Sequence, residues 1–172
     1  MKKLFDVRSR ARRGLCVSLV ALVAFVFVAF DARISRAESW GGIEPLKSRR
    51  ADVEKVLGKP VENKPGETGT LRFKVQGGTI TVAFVDARFV AAHHLAPDLE
   101  GTVRQLVLQH DSASDTPDSM QLTHNSAFER DRENNAEIFR NQRAGIAYTF
   151  IEGKLKTTYY TASAEEFKRA QR

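Results

Sequence analysis

The chain has 172 residues, one cysteine, 42% hydrophobic and 28% charged side chains, which fits one ordinary folded domain or two very small ones and excludes global disorder. Its net charge of +6 suggests a polyanion binder, but residues 1–37 hold eight Lys/Arg against two Asp/Glu, and residues 38–172 hold nineteen of each. The basic excess is local to the N-terminal segment, so the simplest nucleic-acid argument is excluded.

Lys2, Lys3, Arg8, Arg10, Arg12 and Arg13 precede an uncharged run over residues 14–30, and Ser35-Arg36-Ala37 follows. A basic start, an apolar centre and small residues at a cut site are the order of a secretory signal. The reading is a signal peptide over residues 1–37, cleaved after Ala37, with an exported domain over residues 38–172. The alternative is an uncleaved N-terminal membrane anchor, in which membrane contact runs only through residues 14–30. The charge asymmetry keeps the N-terminus cytoplasmic either way, so the remainder is periplasmic, in the cell envelope or secreted. Cys16 lies at the start of the apolar run, where a lipidation cysteine would not stand. With no second cysteine, core packing alone must hold the exported part.

Trp40, Ile43 and Leu46 are anchors of an entry segment. Ser48 is the expected N-cap of a helix over residues 49–57, with Val53, Val56 and Leu57 on its buried face. Gly58 and Pro60 end it. Residues 61–69 read as a loop. Leu71, Phe73 and Val75 alternate with Arg72 and Lys74, and Ile80, Val82 and Phe84 alternate with Thr79, Thr81 and Ala83. A Gly77-Gly78 turn makes these two runs an antiparallel hairpin. Residues 86–101 read as a loop, residues 103–110 as a third strand and residues 111–119 as a polar linker. One helical turn is expected within residues 119–130, around Met120, Leu122 and Phe128, and a strand over residues 137–141. Ile146, Tyr148 and Phe150 alternate with Ala147, Thr149 and Ile151, and Leu155, Thr157 and Tyr159 with Lys156, Thr158 and Tyr160, in a second hairpin turning at Gly153. Residues 164–172 form a short helix or a tail. Gly78-Thr79-Ile80-Thr81-Val82-Ala83-Phe84 and Gly145-Ile146-Ala147-Tyr148-Thr149-Phe150 look alike. A divergent tandem repeat and shared β-strand composition both account for that. The fold class is α+β: a short N-terminal helix on an antiparallel sheet built from two hairpins.

Catalytic signatures are missing. There is no G-x-S-x-G elbow, P-loop or H-E-x-x-H helix. His93 and His94 are adjacent and would point to opposite faces of a strand; with His110 and His124 they read as surface histidines, not a zinc set. Calcium loops counted from Asp111 or Asp131 miss ligand oxygens or the required glycine, so these segments, with Asp115 and Asp118, read as solvated turns. Of Phe73, Phe84, Tyr148, Phe150, Tyr159 and Tyr160 on the strands, most should be core rather than a stacking platform for single-stranded nucleic acid. No catalytic, cofactor-binding or metal residue is assigned.

Trp40-Gly41-Gly42-Ile43-Glu44-Pro45-Leu46-Lys47-Ser48-Arg49-Arg50-Ala51-Asp52-Val53-Glu54-Lys55-Val56-Leu57-Gly58-Lys59-Pro60 resembles a group of secreted bacterial proteins of unassigned activity, with the pattern W-x-G-I-x-P-L-x-S-x-R-x-D-V-E-x-x-L-G-x-P. Asn141, Gly145-Ile146-Ala147-Tyr148 and Gly153 extend the likeness. More distantly, a short helix, Leu-Gly-x-Pro and then strands is similar to the SmpA/OmlA (BamE-like) lipoprotein domain. That resemblance implies helices on a small antiparallel sheet and a scaffolding role in the envelope, and related folds inhibit β-lactamase. It carries over no site residue, and the lipidated cysteine of those lipoproteins is absent here. The function expected is non-enzymatic binding or scaffolding, without cofactor or nucleic acid, with an unidentified envelope protein or membrane component as partner. The alternative is an exported hydrolase.

Overall fold

Among the described residues of the computed structural model, 37–63 and 69–172, eight strands form one antiparallel sheet. The apolar run 14–30, Cys16, the Ser35-Arg36 part of the cleavage motif and residues 64–68 of the expected loop lie outside the described residues. The strands are β1 (Glu62–Asn63), β2 (Thr70–Val75), β3 (Gly78–Phe84), β4 (Val103–His110), β5 (Glu129–Glu133), β6 (Ala136–Asn141), β7 (Ile146–Ile151) and β8 (Lys154–Thr161). Their order across the sheet is β1-β2-β3-β4-β8-β7-β6-β5. Each half of the chain therefore makes a four-strand meander, and the meanders join where β4 pairs antiparallel with β8. Among the described residues three short α-helices, α1 (Arg50–Leu57), α2 (Ala87–His93) and α3 (Ala164–Ala170), and one 3-10 turn, Pro97–Leu99, complete an α+β fold.

Both apolar clusters lie on one face of this sheet. Phe73, Ile80 and Leu108 continue across the sheet through Thr158 and Tyr148 to Phe139, and Leu71, Val82 and Leu106 continue to Tyr160 and Ile146. Facing strand positions share a side, so this register puts these strand residues of the two clusters on one surface. The first cluster gathers Ile43, Val53, Leu71, Phe73, Ile80, Val82, Val103 and Leu106, with Trp40 and Leu57 against it. The second gathers Leu122, Phe139, Phe150 and Leu155, with Met120 and Phe128 against it. The first half is thus covered by its N-terminal segment and α1, and the second by the turns that precede β5.

The expected helix is present, with corrections at its start and along its face. Arg49, not Ser48, occupies the N-cap, and its N–H donates to Asp52 Oδ2 at 2.8 Å. Ser48 instead ties the preceding turn: its hydroxyl accepts from Glu44 N–H and its carbonyl from Val103 N–H. Val53 is fully buried, Leu57 is half-buried against the first cluster, and Val56 is 50% exposed. In a helix of eight residues that packs on one side, only one row of side chains reaches the core.

Four further expectations change. Gly78 is not in the first hairpin turn but opens β3, paired with Val75 and His110; the turn is Gln76-Gly77. Residues 86–101 are not plain loop: Asp86 Oδ1 accepts Phe89 N–H at 2.7 Å and caps α2, which His94 ends in the left-handed conformation. Residues 119–130 hold hydrogen-bonded turns with Leu122 buried, not a helix, and their end enters β5. Leu155 and Tyr159 do not share a face. Lys156 is an extra residue between Leu155, which faces Phe150, and Thr157, which faces Thr149, so Leu155 joins the core while Thr157 and Tyr159 turn to the opposite side.

Candidate functional site

The sheet's other face carries a different chemistry. One row runs Arg72, Thr81, Val107, Tyr159, Ala147, Arg140. The next runs Lys74, Thr79, Gln109, Thr157, Thr149, Ile138, Asp131. Strand alternation puts β-branched residues on this surface too, but threonine replaces the valine and isoleucine of the core side. The centre of the face is uncharged and holds hydroxyls, amides, Val107, Ala147 and the one tyrosine. Charges stand at its margins: Lys74 pairs with Asp111 at 2.7 Å on one side, and Arg140 with Asp131 at 3.1 Å on the other. A half-open depression of about 370 Å³ lies on this face, lined by Gln105, Ile138, Arg140, Ala147, Thr149 and Tyr159.

The histidines do not meet there. His93 ends α2 and packs against Phe89, tilted, and Phe167, edge-on, at centroid distances of 4.3 and 5.4 Å. His94 follows it as the helix cap, so the pair sits at a helix end and not on a strand. His124 is exposed in the turns over the second cluster. His110 is half-buried on the core face rather than at the surface, with Nε2 3.0 Å from Thr158 Oγ1. Burial pushes its pKa below the ordinary histidine value, partly opposed by the Asp115 carboxylate. Asp111 is taken by Lys74, and Asp118 Oδ1 accepts the Thr123 hydroxyl at 2.5 Å. The segment from Asp131 is not a solvated turn but the β5–β6 hairpin. Among the described residues no three His, Cys, Asp or Glu side chains group as a metal site would need.

The aromatics divide by face. Phe73 and Phe150 are core, Phe84 packs against the first cluster, and Tyr148 and Tyr160 are half-buried on the core side. Tyr159 alone stands on the open face. Sequence reasoning missed it because Tyr159 and Tyr160 are neighbours, and only the bulge at Lys156 decides which of them faces the core. A second polar centre was also missed. Glu166 Oε2 accepts from Ser163 N–H, Ser163 hydroxyl and Ala37 N–H at 3.2, 3.0 and 3.1 Å, and Oε1 from Lys47 Nζ at 3.2 Å. Burial pushes Glu166 up, but the hydrogen bonds from Ser163 and Lys47 prevail and hold it below the ordinary carboxylate range. The signal for half of this centre was in the sequence: Ser163-Ala164-Glu165-Glu166 is a capping box.

No family model and no curated protein matches the chain. Among solved structures, a DUF4309 family protein (YjgB) from Bacillus subtilis is similar at 12% identity and a TM-score of 0.49, over 75% of this chain and 88% of that one.

Proposed function

We propose that residues 38–172 act outside the cytoplasm as a binding or scaffolding domain, and that the open sheet face is its contact surface. The observation carrying this reading is the layout of that face. An uncharged centre of Thr81, Val107, Tyr159, Ala147 and Thr149 is flanked by Arg72 and Lys74 on one side and Arg140 and Asp131 on the other. Protein interfaces have this arrangement: charge is depleted at the centre, tyrosine and arginine are enriched, and the rim is polar. Threonine and glutamine give the centre donors and acceptors without the desolvation cost of full charges. Export is supported by the charge order of residues 1–37 and the neutral balance of residues 38–172. The partner is a protein or membrane component of the envelope; nucleic acid is disfavoured by that neutral balance.

The test immobilises the exported domain and passes over it a detergent extract of envelopes from cells that make it. Ala147→Arg puts a long charged side chain in the centre of the face, and Lys154→Ala, at the exposed first residue of β8 opposite Ile151 and away from that centre, is the control. The reading expects a component held by the wild type and by Lys154→Ala and lost from Ala147→Arg. Equal retention by all three would remove the open face from consideration. Hydrolysis of an envelope substrate by the purified domain would replace the reading with the exported-hydrolase alternative.

A further inference from the structure

We infer that Glu166 is the acceptor for a new N-terminus: when the leader is removed after Ala37, the freed α-ammonium of Glu38 takes the place that the Ala37 amide holds beside this carboxylate. The inference rests on the export reading with cleavage at that bond.

The geometry starts from the present occupant. Ala37 N–H donates to Glu166 Oε2 at 3.1 Å, and the next amide, Glu38 N–H, donates to the Ala144 carbonyl at 2.8 Å. Glu166 is fixed from two sides besides the Ala37 amide. The capping box of α3 holds Oε2, and Lys47 holds Oε1 while also pairing with Glu44 at 2.6 Å. Its side chain is 14% exposed, so a charge placed beside it meets little competition from water.

Hydrolysis adds water across the Ala37–Glu38 amide. The C–N bond breaks, the Ala37 carboxylate leaves with the leader, and the nitrogen stays on Glu38 and takes up a proton. Removing Ala37 deletes one donor to Glu166 Oε2. The new ammonium stays anchored at Ala144 by one hydrogen and has two others. Glu38 N is one residue from the vacated position, within about 4 Å along the chain. A neutral hydrogen bond is thereby exchanged for a charge-assisted one, which is the stronger kind. The same carboxylate is satisfied before and after processing, and the bond afterwards ties the first residue to α3, close to the last.

The test uses the processed protein recovered from outside the cytoplasm, uniformly labelled with carbon-13 and nitrogen-15. Mass spectrometry first establishes the N-terminal residue. The Glu38 Cα shift then reports ionisation of its amine. The charged and titrating neighbours are Glu166, Lys47, Glu44, the Glu38 carboxylate, Tyr148 and Tyr160. The expected result is a Glu38 terminus whose amine titrates about one unit above the ordinary range of about 7.7–8.0. That elevation should be lost in Glu166→Gln and kept in Lys47→Met. Glu166→Asp, which retracts the charge, serves if Glu166→Gln does not fold, and should lower the titration midpoint. A Glu38 amine titrating in the ordinary range, unmoved by these variants, overturns the inference and leaves export standing. A chain that keeps Met1, or begins elsewhere, overturns the inference together with the cleavage reading.

Discussion

Arg104 and Lys156 are the extra residues of two bulges that stand at the same place in the two halves of the sheet. Arg104 lies between Val103, opposite Phe84, and Gln105, opposite Ala83; Lys156 lies between Leu155, opposite Phe150, and Thr157, opposite Thr149. Each bulge kinks the last strand of its meander near its start. Registered on the bulges, Ile80 corresponds to Ile146, Val82 to Tyr148 and Phe84 to Phe150. The first two pairs face the core side, and Phe84 and Phe150 stand at the bulges themselves. Val103 and Leu155, just before the bulges, are both buried. The bulges therefore set which side chains of β4 and β8 reach the core and which reach the open face.

The glycines beside these strands give a graded prediction. A Cβ on Gly78 would collide with the Gln109 backbone carbonyl, and one on Gly145 with that of Thr161, where φ is also +66°. A Cβ on Gly153 would meet open space at φ +72°. Gly153→Ala should therefore cost about 1 kcal/mol from its backbone conformation alone. Gly78→Ala should cost about 1–3 kcal/mol from overpacking, and Gly145→Ala more than either because both effects apply. Urea denaturation of the three variants checks the order.

The helix makes a sharper contrast between two valines. Val53 is fully buried in the first cluster and Val56 is half exposed. Val53→Ala should cost about 1–3 kcal/mol, from lost transfer free energy and a residual cavity. Val56→Ala should stay within about 0.5 kcal/mol. The same denaturation curves measure both. Equal costs would mean that α1 packs on the sheet through a different row.

Much of the fold could be read from alternation. Residues 71–75, 80–84 and 146–151 form strands because branched and aromatic residues recur at period two and a turn follows. The helix α1 could be read from Val53, Leu57, Gly58 and Pro60. The residues 129–133, Glu-Arg-Asp-Arg-Glu, gave no strand signal because every side chain of β5 is exposed at the sheet edge. There the charges are held by neighbours across the hairpin, Arg130 by Glu137 and Asp131 by Arg140, and they guard the edge against pairing with another chain. Helix α2 was hidden because none of its residues is fully buried, leaving only the Asp86 cap to mark it. The two look-alike segments, residues 78–84 and 145–150, differ in length by one: matched at Phe84 and Phe150 they are in step with the bulges, whereas matched at Gly78 and Gly145 they set Ile80 against Ala147 on the other face. The open face was illegible for the same reason: an unpaired residue reverses the alternation without leaving a mark in the sequence.

His110 contributes to the acid side of the stability profile. Its folded pKa is depressed by burial, so the folded state binds fewer protons than the unfolded chain between the two values. The contribution is therefore complete above about pH 6.5, the unfolded value, and is lost as pH falls from there toward the folded value. The groups facing the ring are Thr158 and Asp115. Melting temperatures of the wild type should fall more steeply than those of His110→Gln between about pH 7.5 and 5.5. Parallel curves would show that the ring is solvated.

Tyr160 sets the alkaline side. It lies on the core face between Leu106 and Ile146, and its phenol is pushed up to about 12. Burial is the main cause, since a phenolate there would be poorly solvated; the Tyr148 phenolate and the Glu38 carboxylate add repulsion. A raised acid keeps its proton in the folded state. Its contribution is thus whole below about pH 10, the ordinary tyrosine value, and is lost as pH rises toward about 12. The chain has three tyrosines, so ultraviolet titration should resolve a late-ionising component that disappears in Tyr160→Phe. Tyr148 is raised by the same causes, burial first and Glu38 second, and should also ionise late. Glu38→Gln should lower both midpoints, more weakly than unfolding does, because it removes the repulsion and leaves the burial. A Tyr160 that ionises at the ordinary value in the folded protein would mean that water reaches the seam between β4, β8 and β7.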